Sequence, residues 1–167
     1  SGNLIGINTM NLSIGGGTTP SAAVNEMDHF TMASEGDGID FGNLTQARYS
    51  LNGASSSTRG CFAGGWVPNN TNVIDYVEIQ TLGDALDFGD LSEGGNHGNP
   101  AMQSPTRGIF CGGSYNAPND LASEHTEFFT FASKGNGTDF GGMTGRFRPT
   151  SCGAHLSVFT FGSNAGN

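Results

Sequence analysis

The triplet Asp-Phe-Gly occurs three times in this chain, beginning at Asp40, Asp87 and Asp139, at steps of 47 and 52 residues. A glycine stands four residues before each triplet (Gly36, Gly83, Gly135), and an acid stands twelve before each (Asp28, Asp75, Glu127). A second landmark is a short apolar run closed by a double glycine. It recurs at Gly64-Gly65 and Gly112-Gly113, a step of 48. The same step before Gly64 falls on Gly16, inside Gly15-Gly16-Gly17, and 49 residues beyond Gly112 lies Phe161-Gly162, a degraded copy. The chain therefore carries four glycine-ended runs and three Asp-Phe-Gly segments. A period of about 40–50 residues that holds several short strands points to propeller blades.

Between the landmarks the pattern is that of strands and tight turns. Met27, His29 and Thr31 alternate with Asp28, Phe30 and Met32, a period of two. Val73 to Ile79 is the clearest strand, rich in β-branched residues. Further strands are expected at Leu4–Asn8, Asn11–Gly16, Leu51–Ser55, Gly60–Gly64 and Phe88–Leu91, with Pro68-Asn69-Asn70 as a loop. The third unit supplies Gly98–Gln103, Ile109–Cys111, Glu127–Phe131 and Phe140–Met143. Thr150–Ala154 and Ser157–Phe161 open a fourth. The units run over about 4–45, 49–92 and 98–144, with a half-unit at 150–162, all in one domain of 167 residues. Asn11 is aligned with Arg59 in this scheme. A two-strand remainder has no evident mate in the chain. It implies a fragment of a longer ring, an association of copies, or another mode of stacking, and a larger assembly is expected because a lone open form leaves strand edges unpaired.

Composition agrees with short strands. Only 35% of residues are apolar, and 28 are glycine. Twelve phenylalanines supply much of the expected core. The net charge is −9, with Lys134 the single lysine, so the clustered basic residues that bind phosphate backbones are missing and nucleic acid is not an expected partner. No apolar run approaches the length of a membrane span, so membrane insertion is not expected. Cys61, Cys111 and Cys152 are odd in number and read as buried free thiols.

Arg-Gly-x-Phe-x-Gly-Gly, then Ile-Asp-Tyr-Val, then Gly-x-x-x-Asp-Phe-Gly-x-Leu resembles the kelch-like repeats of virion and tail proteins in tailed phages. Residues 59–91 carry the resemblance best, and it extends from about Leu4 to Gly162. The Tyr and Trp pair of kelch repeats is not kept, since Trp66 is the only tryptophan. The resemblance implies an all-β propeller of about three four-strand blades plus a two-strand half-blade. It implies a structural protein of the virion, in the tail or on the particle surface, that displays loops toward other virion proteins, further copies of itself, or cell-surface glycan. A cellular kelch-like interaction module is the alternative, and a carbohydrate-active propeller enzyme a more distant one.

No catalytic residues are expected. Asp-Phe-Gly is also a kinase metal-binding motif, but three copies without a phosphate-binding lysine or catalytic loop argue for a structural role. In that role Asp40, Asp87 and Asp139 belong to turns, Phe41, Phe88 and Phe140 plug equivalent spaces between units, and Gly42, Gly89 and Gly141 turn the chain. Gly64, Gly65, Gly112 and Gly113 end the apolar strands. Arg59 and Arg107 hold matching positions and are expected to bind turn carbonyls or a carboxylate such as Asp40 or Asp87. No cofactor is implied. Glu35, Asp37 and Asp40, and likewise Asp84, Asp87 and Asp90, could offer oxygens to calcium, but not at the spacing of a full calcium loop. Among the histidines His125 lies between two carboxylates, Glu124 and Glu127, as a zinc or nucleophile site would require.

Overall fold

The computed structural model describes residues 10–14, 23–31, 35–67, 69–92, 101–115, 121–143, 150–152 and 158–160. These residues form antiparallel β-sheet and no helix. In the first unit, β1 (Met10–Ile14), β2 (Glu26–Thr31) and β3 (Ile39–Asn43) pair in chain order. In the second, β4 (Asn52–Ser55) and β5 (Arg59–Ala63) are followed by a small ribbon of β6 (Trp66–Val67) and β7 (Asn69–Asn70); β8 (Val73–Glu78) and β9 (Leu86–Asp90) then complete a four-stranded sheet. The third repeats this plan with β10 (Ala101–Gln103), β11 (Arg107–Cys111), the ribbon β12 (Ser114–Tyr115) and β13 (Leu121–Ala122), then β14 (His125–Thr130) and β15 (Thr138–Gly142). A hairpin of β16 (Thr150–Cys152) and β17 (Val158–Thr160) follows. None of these sheets closes on itself.

Three details of the strands and their plugs differ from the sequence reading. Asn69 and Asn70 are a strand of the ribbon and not a loop. The first unit is offset by one residue. Met10 pairs with Thr31 as Arg59 pairs with Glu78, so Met10, and not Asn11, is the counterpart of Arg59, and the step is 49. A run of three glycines permits either alignment on paper, whereas ladder register admits one, because a slip of one residue reverses every side chain. The third difference concerns Phe140, taken up below. The strand expected at Leu4–Asn8 and the repeat copy at Phe161-Gly162 lie outside the described residues.

The sheets stack face to face in series. Met27, Phe41 and Leu44 of the first unit pack with Phe62, Val77 and Ala85 of the second. The opposite face of the second, with Cys61, Ile74, Tyr76, Phe88 and Leu91, packs with Phe110 and Phe129 of the third. This sandwiching explains why the strand patterns differ. In β2 only alternate residues, Met27 and His29, are buried. In β8 the run Ile74-Asp75-Tyr76-Val77 is buried throughout, because it has neighbours on both faces.

Candidate functional site

Asp-Phe-Gly is a bulged strand that joins one unit to the next. Met27 pairs with Gly42 but Asp28 pairs with Asp40, so Phe41 is the extra residue of a β-bulge. The same shift places Phe88 opposite the step from Ile74 to Asp75, and Phe140 opposite the step from Thr126 to Glu127. The bulge breaks the ladder and twists the edge outward. The glycine that follows takes φ of 142°, 149° and 128° at Gly42, Gly89 and Gly141, a region that side-chain-bearing residues rarely occupy. Asp40 and Asp139 steady this turn, accepting from the amides of Gly42 and Gly141 at 3.1 and 2.9 Å.

The freed backbone groups bond to the following unit. Gly83 N–H donates to Phe41 O at 2.8 Å, and Ala85 N–H to Asn43 O at 2.7 Å. The Asp84 carboxylate accepts from the amide of Asn43 at 2.9 Å. The second joint is a copy: Gly135 to Phe88 at 2.9 Å, Gly137 to Asp90 at 2.7 Å, and Asn136 Oδ1 accepting from the amide of Asp90 at 3.1 Å. Gly42 and Gly89 admit this approach. A Cβ on either would stand inside contact distance of the carbonyl of Gly83 or Gly135. Gly83 and Gly135, four residues before the second and third triplets, are thus not partners within their own units. Each belongs to the turn that clasps the preceding triplet.

A buried acid locks each joint from the side. Asp75 accepts from Thr45 N at 3.2 Å and from Thr45 Oγ1 at 2.6 Å, and Arg48 Nη1 donates to it at 2.9 Å. Arg48 also donates to Phe62 O at 3.2 Å. Both members of this ion pair are fully buried. Burial draws the Arg48 pKa down, an effect opposed by the charge and hydrogen bond of Asp75. Sequence reasoning missed Arg48. The available signal was Asp75, a charge inside the apolar run Val73–Val77, since a buried charge requires a partner. Glu127 repeats the lock, accepting from Ser92 N at 2.7 Å.

Phe41 and Phe88 are each 2% exposed, as plugs between units should be, but Phe140 is 55% exposed. It rests edge-on against Phe128, with centroids 6.0 Å apart. A plug requires a following unit with its own Gly-x turn, and none among the described residues stands beyond β15. Arg59 does bind a turn carbonyl, Phe131 O at 2.6 Å. Its carboxylate partner, however, is Glu78 at 2.7 Å, opposite it in the ladder, and not Asp40 or Asp87. Arg107 lies over the Phe128 ring at 4.7 Å; the residue facing it in the ladder is Thr130, which has no carboxylate. Gly64, Gly65, Gly112 and Gly113 follow β5 and β11 with φ of 68°, 108°, 59° and 93°, and turn the chain into the ribbons.

Ser92, His125 and Glu127 do converge. His125 Nε2 lies 3.0 Å from Ser92 Oγ and 3.6 Å from Glu127 Oε1. A serine nucleophile needs a base whose far nitrogen is oriented by the acid. Here one and the same nitrogen faces both groups, so no such relay exists, and the Ser92–Glu127 bond is the counterpart of Thr45–Asp75. Among the described residues no three of His, Cys, Asp and Glu are grouped to hold a metal ion. Of the acids that could offer oxygens to calcium, Asp84 accepts across a joint and Asp40 within its own turn. Cys61 and Cys111 are free and buried, and desolvation pushes each thiol up to about 12. Such thiols are poor nucleophiles at neutral pH.

No model of a known protein family matches this chain, and no curated protein matches it. Among the described residues no helix is long and apolar enough to cross a membrane.

Proposed function

We propose that this chain is a non-enzymatic display scaffold of a virus particle, built from kelch-like propeller blades and located in the tail or on the surface. The observation that carries the reading is how the recurring chemical groups are used. The repeated acids, glycines and phenylalanines make joints between sheets, and the ribbons set between the second and third strand of each four-stranded sheet differ in sequence from one unit to the next. The ribbons hold Trp66–Val67 with Asn69–Asn70, and Ser114–Tyr115 with Leu121–Ala122. Serially joined sheets suit adhesion to a protein or glycan through their connecting segments, because a rigid scaffold carries changes in such segments at low cost to stability. In a propeller the joints would continue around an axis, and serial face-to-face packing of four-stranded sheets is compatible with that arrangement.

The experiment is immunogold labelling of intact particles with antiserum to the purified chain, alongside a glycan array probed with the chain itself. Label on particles is the expected result. Label confined to a particle-free cell extract would overturn the virion assignment in favour of a cellular module. Turnover of any arrayed glycan would overturn the non-enzymatic reading.

A further inference from the structure

The joint occurs twice among the described residues, and the first and the third sheet each present one unused half of it. On the third sheet, where the hairpin β16–β17 stands beside β10, the Asp-Phe-Gly bulge of β15 is complete. Its phenylalanine is 55% exposed, and a Cβ on Gly141 would meet nothing within 4 Å, where the same atom on Gly42 or Gly89 meets the clasping turn. In the first unit stands Gly36-Asp37-Gly38, the counterpart by repeat position of Gly83-Asp84-Ala85 and Gly135-Asn136-Gly137, and it is exposed throughout. Two further residues of the first unit mark the same open face. Asp28 is exposed, although its counterparts Asp75 and Glu127 are buried locks. Phe30 is 38% exposed, although its counterparts Val77 and Phe129 are buried against a preceding sheet.

We propose that these halves meet between molecules, with the Gly36-Asp37-Gly38 turn of a second copy clasping the Phe140 bulge of the first. The two internal joints define the bonds. Gly36 N–H donates to Phe140 O, Gly38 N–H donates to Gly142 O, and the Asp37 carboxylate accepts from the Gly142 amide. Phe140 becomes a buried plug, and Phe30 of the second copy is covered by the third sheet of the first. The occupant is a second copy because a turn of the required sequence, with the acceptor in the required place, is free on this chain itself. The contact is head to tail, so it propagates until a ring closes or a filament grows.

Sedimentation velocity on the 167-residue chain, from micromolar to near-millimolar concentration, tests this directly. The wild-type chain is expected to exceed monomer mass increasingly with concentration. Phe140→Asp spoils one half and Asp37→Arg the other. Both residues are exposed in the single chain, so circular dichroism is expected to stay unchanged while each variant's Kd for self-association rises by about thirtyfold or more, the effect of losing one central anchor. A mixture of the two variants retains one intact joint and is expected to form a 1:1 dimer that grows no further. A wild-type chain that stays monomeric throughout would overturn the proposal and leave the bulge to a following unit of a longer chain. Variants that assemble as wild type does, or a mixture that does not pair, would overturn it equally.

Discussion

Alanine at the three equivalent phenylalanines separates the joint from the motif. Phe88 is 2% exposed and meets Tyr76 and Phe129 edge-on, with centroids 5.8 and 5.1 Å apart. Burying such a ring contributes about 1.5–3 kcal/mol by transfer alone. Truncation also leaves a cavity between two sheets that are held apart by backbone bonds, which raises the cost to about 3–5 kcal/mol. Phe41, equally buried, is expected to cost the same. Phe140 keeps 55% of its surface in water and encloses no cavity when removed, so Phe140→Ala is expected to cost about 1 kcal/mol or less in the monomer. Urea unfolding followed by far-ultraviolet circular dichroism, at a concentration where the chain is monomeric, reads these differences as shifts of midpoint at constant slope. Equal costs at Phe88 and Phe140, or a cost under about 1 kcal/mol at Phe88, would refute the view that burial comes from the following unit and not from the triplet itself.

Other outcomes follow from the same geometry. Arg48→Leu strands the Asp75 carboxylate in the interior and is expected to cost about 3–5 kcal/mol in the same unfolding assay, whereas the double variant Arg48→Met, Asp75→Leu is expected to recover most of that loss. Gly89→Ala and Gly141→Ala share the strain of positive φ, but only the former pushes a Cβ into a neighbouring turn, so Gly89→Ala is expected to be worse by about 1–3 kcal/mol. Cys61 and Cys111 are expected to resist a thiol reagent at pH 8 until the chain is unfolded. Their folded pKa, about 12 against an ordinary 9.0, lies above the unfolded value, so the folded state holds protons that the unfolded chain releases above pH 9. Stability is therefore expected to fall with rising pH between 9 and 12, by up to about 1.4 kcal/mol per thiol per pH unit. The two Cys→Ala variants are expected to flatten that slope.

What could be read in advance was whatever local pattern sets. The recurrence of Asp-Phe-Gly gave the number and order of units, and the alternation at Met27–Met32 and the β-branched residues of Val73–Ile79 marked strands, but that the first is covered on one face and the second on both came from the stacking of the sheets. The structural use of the repeated glycines was legible for the same reason, since positive φ is a property of the local chain, whereas the inertness of the thiols comes from desolvation in the packed sheets. Ladder register was less legible, because Gly15-Gly16-Gly17 offers two alignments and only cross-strand bonding selects the one that starts at Met10.

Partnership across sheets was decided by the tertiary structure alone. Nothing local distinguishes Phe140 from Phe88, since the triplets are identical; one is a plug and the other is exposed according to whether a further Gly-x turn arrives from outside the unit. Arg48 carries no motif, yet it becomes one of the most buried residues because Thr45, Asp75 and Phe62 O meet around it from different units. Sequence by itself determined the strand, the bulge and the glycine, which are properties of a few consecutive residues. The tertiary structure decided which of those bulges is filled, because desolvation and hydrogen-bond pairing depend on the atoms opposite and not on the atoms alongside in the chain.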